Sequence, residues 1–139
     1  MIGAEVQHVG KRVLFVCVGN ACRSQMAEAF ARAYGSGVLV PASAGWSPAQ
    51  AVPADTARAM DEKHLDLTGQ VPKSLLDMVG AKFDLIVNMS GRPLRPIGGA
   101  EVRIWQVPDP IGMDYQGHCA VRDHIERLVM YLIEELRRP

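Results

Sequence analysis

Cys17 and Arg23 bracket the segment Cys17-Val-Gly-Asn-Ala-Cys-Arg-Ser24, in which every intervening residue is small, turn-forming or β-branched. A cysteine and an arginine at this spacing can seat an oxyanion and attack it. Successive backbone N–H groups of a tight loop curl into a concave anion nest, and a helix opening at its end adds a positive pole. The nest would comprise Val18, Gly19, Asn20, Ala21, Cys22, Arg23 and Ser24. Gly19 and Asn20 tolerate the left-handed backbone that such a curl demands. Arg23 offers a planar fork that grips two phosphate oxygens and follows them into the transition state. The same positive surroundings favour a thiolate at Cys17, the nucleophile. Ser24 can donate its hydroxyl to that sulfur and ease its departure when a covalent intermediate breaks down.

Such chemistry also needs an acid to protonate the leaving oxygen. Asp109, in Val107-Pro-Asp-Pro110, is the candidate, with Asp66, Asp84 and Asp114 as competitors. His118, Cys119 and His124 lie close together in the chain, but they read as solvated residues at the start of a helix rather than metal ligands. No metal and no cofactor is expected.

The elements that must position these residues follow from hydrophobic periodicity. Residues 12–17 are apolar and β-branched and predict a buried strand; Gly19 and Asn20 break it; Met26, Ala27, Phe30, Ala33 and Tyr34 then recur at helical spacing over 23–34. Further strands are predicted over 38–43, 83–88 and 101–105, a second helix from Pro53 with Ala57, Met60 and His64 on one face, and a short one over 74–79. Val121, Ile125, Leu128, Val129, Leu132, Ile133 and Leu136 trace one stripe of a final helix. Strand alternating with helix implies an α/β fold, a single three-layer domain whose parallel sheet is flanked by helices. The ligand loop after the first strand then lies at the carboxyl ends of the strands. Residues 1–10 carry no periodicity and read as a flexible leader; 11–139 form the domain.

Composition narrows the partners. The 15 Lys and Arg residues balance the 15 Asp and Glu, and they are scattered, so nothing resembles the basic footprint of a nucleic-acid or membrane-surface binder. The apolar run over 13–18 falls short of the roughly seven residues of a secretory h-region, and no stretch approaches the roughly twenty a membrane span needs. Three cysteines give no disulfide framework. The expected setting is the cytoplasm, with reduced thiols.

In 13–28, in Ser43-Ala-Gly45, in Phe83-Asp84 and in Pro108-Asp-Pro110, the sequence resembles the low-molecular-weight protein tyrosine phosphatases and their arsenate reductase relatives. That resemblance implies a four-stranded parallel sheet flanked by helices, with Cys17 as nucleophile, Arg23 as clamp, Ser24 as thiolate stabiliser, Asn20 and Ser43 as loop organisers and Asp109 as general acid. It implies hydrolysis of phosphomonoesters, foremost phosphotyrosine in protein, with a phosphorylated protein or small phosphoester as partner and inorganic phosphate or a similar oxyanion in the loop. The alternative is arsenate reduction by the same Cys17, resolved by Cys22, Cys119 or an external thiol. Gln25 and the short loop after Ser43 lean to the reductases. Yet Asn88, Met89 and Ser90 stand where thioredoxin-coupled reductases carry relay cysteines, and Ile111 and Gly112 stand where phosphatases carry aromatic residues. A non-catalytic phosphate-binding module is a third reading. Trp46 or Tyr115 could wall an aromatic slot. Cys22, in the same loop as Cys17, is a candidate redox partner that captures a sulfenic acid formed on an exposed Cys17 thiolate.

Overall fold

A computed structural model of the chain describes residues 10–138. The uninterrupted apolar run becomes β1 (Lys11–Cys17), and such a run requires cover on both faces and both edges. It has them: β1 pairs in parallel with β2 (Leu39–Gly45) on one side and β3 (Leu85–Asn88) on the other, and β4 (Glu101–Ile104) extends the sheet to the order β2-β1-β3-β4. Alternate β1 side chains feed two cores. Val13 and Phe15 pack with Met26, Phe30, Ile125 and Val129, while Leu14 and Val16 pack with Leu75, Phe83 and Ile86. Residues of α1 (Arg23–Tyr34), α2 (Ala54–Asp61) and α3 (Tyr115–Arg137) supply the first core. A 3₁₀ turn (Leu75–Met78) and a loop bearing Leu94 and Ile97 cover the second.

The strand order places the site. The chain leaves β1 for one neighbour, β2, and returns to the other, β3, so the loops following β1 and β3 diverge and open a crevice at their carboxyl ends. Cys17 ends β1 at that crevice.

Several boundaries differ from expectation. β2 runs on to Gly45 because its register carries Gly45 opposite Cys17. β3 begins at Leu85, since Asp84 turns its carboxylate onto the Arg12 N–H (2.8 Å). The second helix ends at Asp61, short of His64: the N–H groups of Lys63 and His64 close tight turns onto Met60 and Asp61, His64 takes a left-handed φ of 60°, and the chain reverses to bury Leu67. α3 starts at Tyr115, ahead of its apolar stripe, because Asp114 caps it by accepting from the Gly117 N–H (2.9 Å). His118 is not the solvated residue expected. It is 3% exposed, and its Nδ1 lies 2.9 Å from the Thr56 hydroxyl on α2. The leader assigned to residues 1–10 lies outside the described residues except for Gly10. Among the described residues no helix is long and apolar enough to cross a membrane.

Candidate active site

The loop between β1 and α1 is held from outside by its carbonyls. Cys17 O accepts from Trp46 N (3.3 Å), Val18 O from Ser47 N (2.8 Å), Gly19 O from Ala49 N (2.9 Å), and Asn20 O from the Gln25 side chain (3.0 Å). Four successive carbonyls turned outward leave the intervening N–H groups facing the other way. Among the described residues no protein acceptor takes the N–H of Val18, Gly19, Asn20, Ala21 or Cys22. The segment that receives the carbonyls can approach because it begins at Gly45. A Cβ built there would lie 2.6 Å from Asn20 N and 2.7 Å from Val18 O.

Asn20 organises the inside. It is fully buried with a left-handed φ of 49°. Its Oδ1 accepts from the backbone N–H of Lys73 (2.7 Å), a group that can only donate, and this fixes which end of the amide is which. Nδ2 therefore donates to Ser24 Oγ (2.7 Å). With that lone pair engaged, the Ser24 hydroxyl is free to donate across 2.9 Å to Cys17 Sγ. A sulfur supplied with a donor is the form that attacks and, later, the form that leaves. Cys17 is 2% exposed, the floor of the site rather than the exposed thiolate expected of it.

Arg23, 6% exposed, anchors through Nη1 to the carbonyls of Met89 (2.5 Å) and Val107 (3.1 Å), at the ends of β3 and beyond β4. Both Nη1 protons are thereby engaged, which leaves the Nε–Nη2 edge, the bidentate edge, for an oxyanion. Nη2 also meets Asp109 Oδ2 at 3.5 Å, while Asp109 Oδ1 accepts from the Ile111 N–H (3.1 Å). The Asp109 side chain stays 42% exposed, reachable by a leaving group. Its competitors are occupied elsewhere. Asp84 binds Arg12, Asp66 closes its own turn on the Thr68 N–H, and Asp114 caps α3.

Cys22 is buried at 3%, with Thr56, Asp109, Cys17 and Arg23 all acting on its thiol. Burial dominates and pushes that thiol up to about 11. The Ser43 hydroxyl donates not to the loop but to the buried Glu28 carboxylate of α1, which also receives Arg32 at 2.5 Å. Each aromatic candidate carries a guanidinium over one face. The Arg92 guanidinium lies 4.6 Å from the Trp46 ring centroid, and Arg58 lies 3.8 Å from that of Tyr115. Cys119 faces Glu62 and Arg122, apart from Cys17.

The family model for low molecular weight phosphotyrosine protein phosphatases matches residues 12–139, nearly the whole described chain. The chain belongs to that family. It is 30% identical over 130 residues to the glutaredoxin arsenate reductase of Synechocystis sp., covering 91% of this chain and 98% of that one. It is 35% identical over 124 residues to arsenate reductase 1 of Bacillus cereus, covering 83% and 88%. A solved arsenate reductase in its phosphate-binding state superposes with a TM-score of 0.83 at 29% identity, over 91% of this chain and 98% of that one. Family members related to this chain are thus enzymes, and one of them holds phosphate.

The structure adds residues to those the motif suggested. Gln25, fully buried, reaches Asn20 and Val71 and accepts from Gln70; Lys73 supplies the backbone donor that orients Asn20. Gln25, Glu28 and Gly45 stand inside quoted motifs, so their positions were visible though their contacts were not. Lys73 carries no local signal, since its role lies in a backbone N–H. Gly45→Ala should shift the loop, lower stability by about 1–3 kcal/mol and weaken competitive inhibition by phosphate. Thermal melts and phosphate inhibition constants measure both, and a variant equal to wild type in each would separate the 45–49 segment from the loop's shape.

Proposed function

We propose that the chain hydrolyses phosphomonoesters through a phosphocysteine on Cys17, with phosphotyrosine in protein as the substrate class and the cytoplasm as its setting. The observation that carries this reading is a buried sulfur supplied with a hydroxyl donor, Ser24, at one end of the loop, and an exposed carboxylate, Asp109, on the guanidinium of Arg23 at the other end. Nucleophile and acid then address opposite ends of the scissile P–O bond. Cys17 attacks phosphorus in line, Asp109 protonates the departing oxygen, and Arg23 with the loop N–H groups holds the equatorial oxygens. Water activated by the Asp109 carboxylate then displaces Cys17. Cys17 is only 2% exposed, and an aryl ester, whose phosphoryl group stands out on a longer arm, is favoured over a short alkyl one.

A second reading, arsenate reduction, is favoured by the names of the relatives. The same Cys17 would attack arsenic, and the adduct would be resolved by Cys22, beside it in the loop, or by an external thiol. The end of β3 supplies none: Asn88, Met89 and Ser90 form a polar turn closed by the Ser90 hydroxyl on Asn88. Side-by-side assays of aryl phosphate hydrolysis and thiol-dependent arsenate reduction separate the two readings.

Asp109→Asn should slow hydrolysis of alkyl and unactivated aryl phosphates by on the order of a hundredfold or more, and should affect p-nitrophenyl phosphate much less. Equal losses on both would assign Asp109 a positioning role. For Cys22, peroxide should oxidise Cys17 to a sulfenic acid, and Cys22 should displace water from it to give a Cys17–Cys22 disulfide that thiols reverse. Since burial holds the Cys22 thiol up near 11, capture should quicken as pH rises. Peptide mass spectrometry and recovered activity report it. Recovery unaltered in Cys22→Ser would leave Cys22 a packed small residue.

A further inference from the structure

We propose that Arg92 selects substrates that carry a second anionic group beside the transferred phosphoryl group, a proposal that rests on the phosphomonoesterase reading. Arg23 and Arg92 line one cleft of about 760 Å³ and are the sole charged residues among the described ones that line it. Their situations differ. Arg23 is buried and bonded to two carbonyls and Asp109, whereas Arg92 is exposed and pairs with no carboxylate among the described residues.

The position of Arg92 is nonetheless built. Its backbone N–H donates to Ser90 Oγ (3.1 Å), its carbonyl accepts from Asn88 Nδ2 (2.7 Å), and Ser90 Oγ donates to Asn88 Oδ1 (2.6 Å). Trp46 joins the same knot. Its Nε1 donates to Ser90 Oγ (3.0 Å), and its ring carries the Arg92 guanidinium 4.6 Å from the centroid. The Trp46 ring holds the guanidinium in place, and no described protein acceptor takes its N–H groups, so they can meet an anion. A cation held in place before binding loses little side-chain entropy when it engages.

A guanidinium used only to cover Trp46 would need no place in a cleft that Arg23 also lines, and Trp46 itself ties Arg92 to the loop, since its backbone N–H donates to Cys17 O. The cleft instead presents, besides Arg23, a positive charge that no carboxylate neutralises, with Ile104 and Trp105 beside it and no acid among its described lining residues. In a phosphorylated protein the matching group is an Asp or Glu side chain next to the phosphotyrosine. The energy of one exposed ion pair sets the scale, about a fivefold preference.

The test uses phosphotyrosyl peptides identical except for Glu, Ala or Lys beside the phosphotyrosine. Wild type should show kcat/KM for the Glu peptide roughly fivefold above the Lys peptide, expressed in KM and shrinking as salt rises. Arg92→Ala should bring the ratio near one, Arg92→Glu should invert it, and Arg92→Lys should keep the sign. The ratio is internal to each variant, so a uniform loss from a loosened turn cancels. A flat wild-type ratio, or a ratio unmoved by Arg92→Glu, overturns the proposal and leaves the hydrolase reading standing. Wild type that hydrolyses no peptide of the set and no aryl phosphate overturns that reading, and Arg92's role with it.

Discussion

Asn20 imposes the constraint on which the rest of the site depends. A left-handed backbone in a residue with a Cβ costs about 1–2 kcal/mol, and here it is offset by an amide whose two ends are both engaged in a fully buried setting. The reversal at Asn20 lets Cys17, Val18 and Gly19 send their carbonyls out to 46–49, while Asn20 sends its own to Gln25. The N–H groups of residues 18–22, left without a protein acceptor, are the other side of that arrangement. The amide also reaches Ser24 and, through its hydroxyl, Cys17, so one side chain couples the shape of the loop to the hydrogen bonding of the Cys17 sulfur.

The sheet makes this loop possible by what it places around it. Because β3 flanks β1, the carbonyl of Met89 falls within reach of Arg23, and the segment after β4 brings Val107 and Asp109 to the same guanidinium. Arg23 is thus a joint among three carboxyl-terminal strand ends. Its burial prevents water from competing for the two carbonyls, and the fork keeps one edge for an oxyanion.

Much of this was legible in the sequence where cause and residue are neighbours. The apolar run before Cys17, the Gly-Asn break and the helical spacing after Arg23 lie within one stretch, and strand, loop and helix follow from it. His64 and His118 show where legibility ends. The first leaves its helix because the chain must reverse to bury Leu67, and the second is buried because α2 packs on α3 and presents Thr56 to it. Both outcomes are decided by what the chain must bury, not by the helical spacing that marks the residues. Lys73 and Arg92 belong to the same class: one contributes a backbone N–H and the other owes its position to a turn knotted by Asn88, Ser90 and Trp46. Where a role rests on backbone groups or on a remote contact, residue identity carries no trace of it.

The central claim is that Cys17 Sγ forms a covalent bond to phosphorus during turnover. Rapid acid quench of the enzyme with a radiolabelled aryl phosphate, followed by digestion and peptide mass spectrometry, addresses it directly. Label should appear on the peptide containing Cys17 and be released by iodine, which cleaves a phosphorus–sulfur bond, but not by hydroxylamine, which discharges an acyl phosphate. Turnover with no label on Cys17 at any quench time, or label on another residue, would contradict the claim.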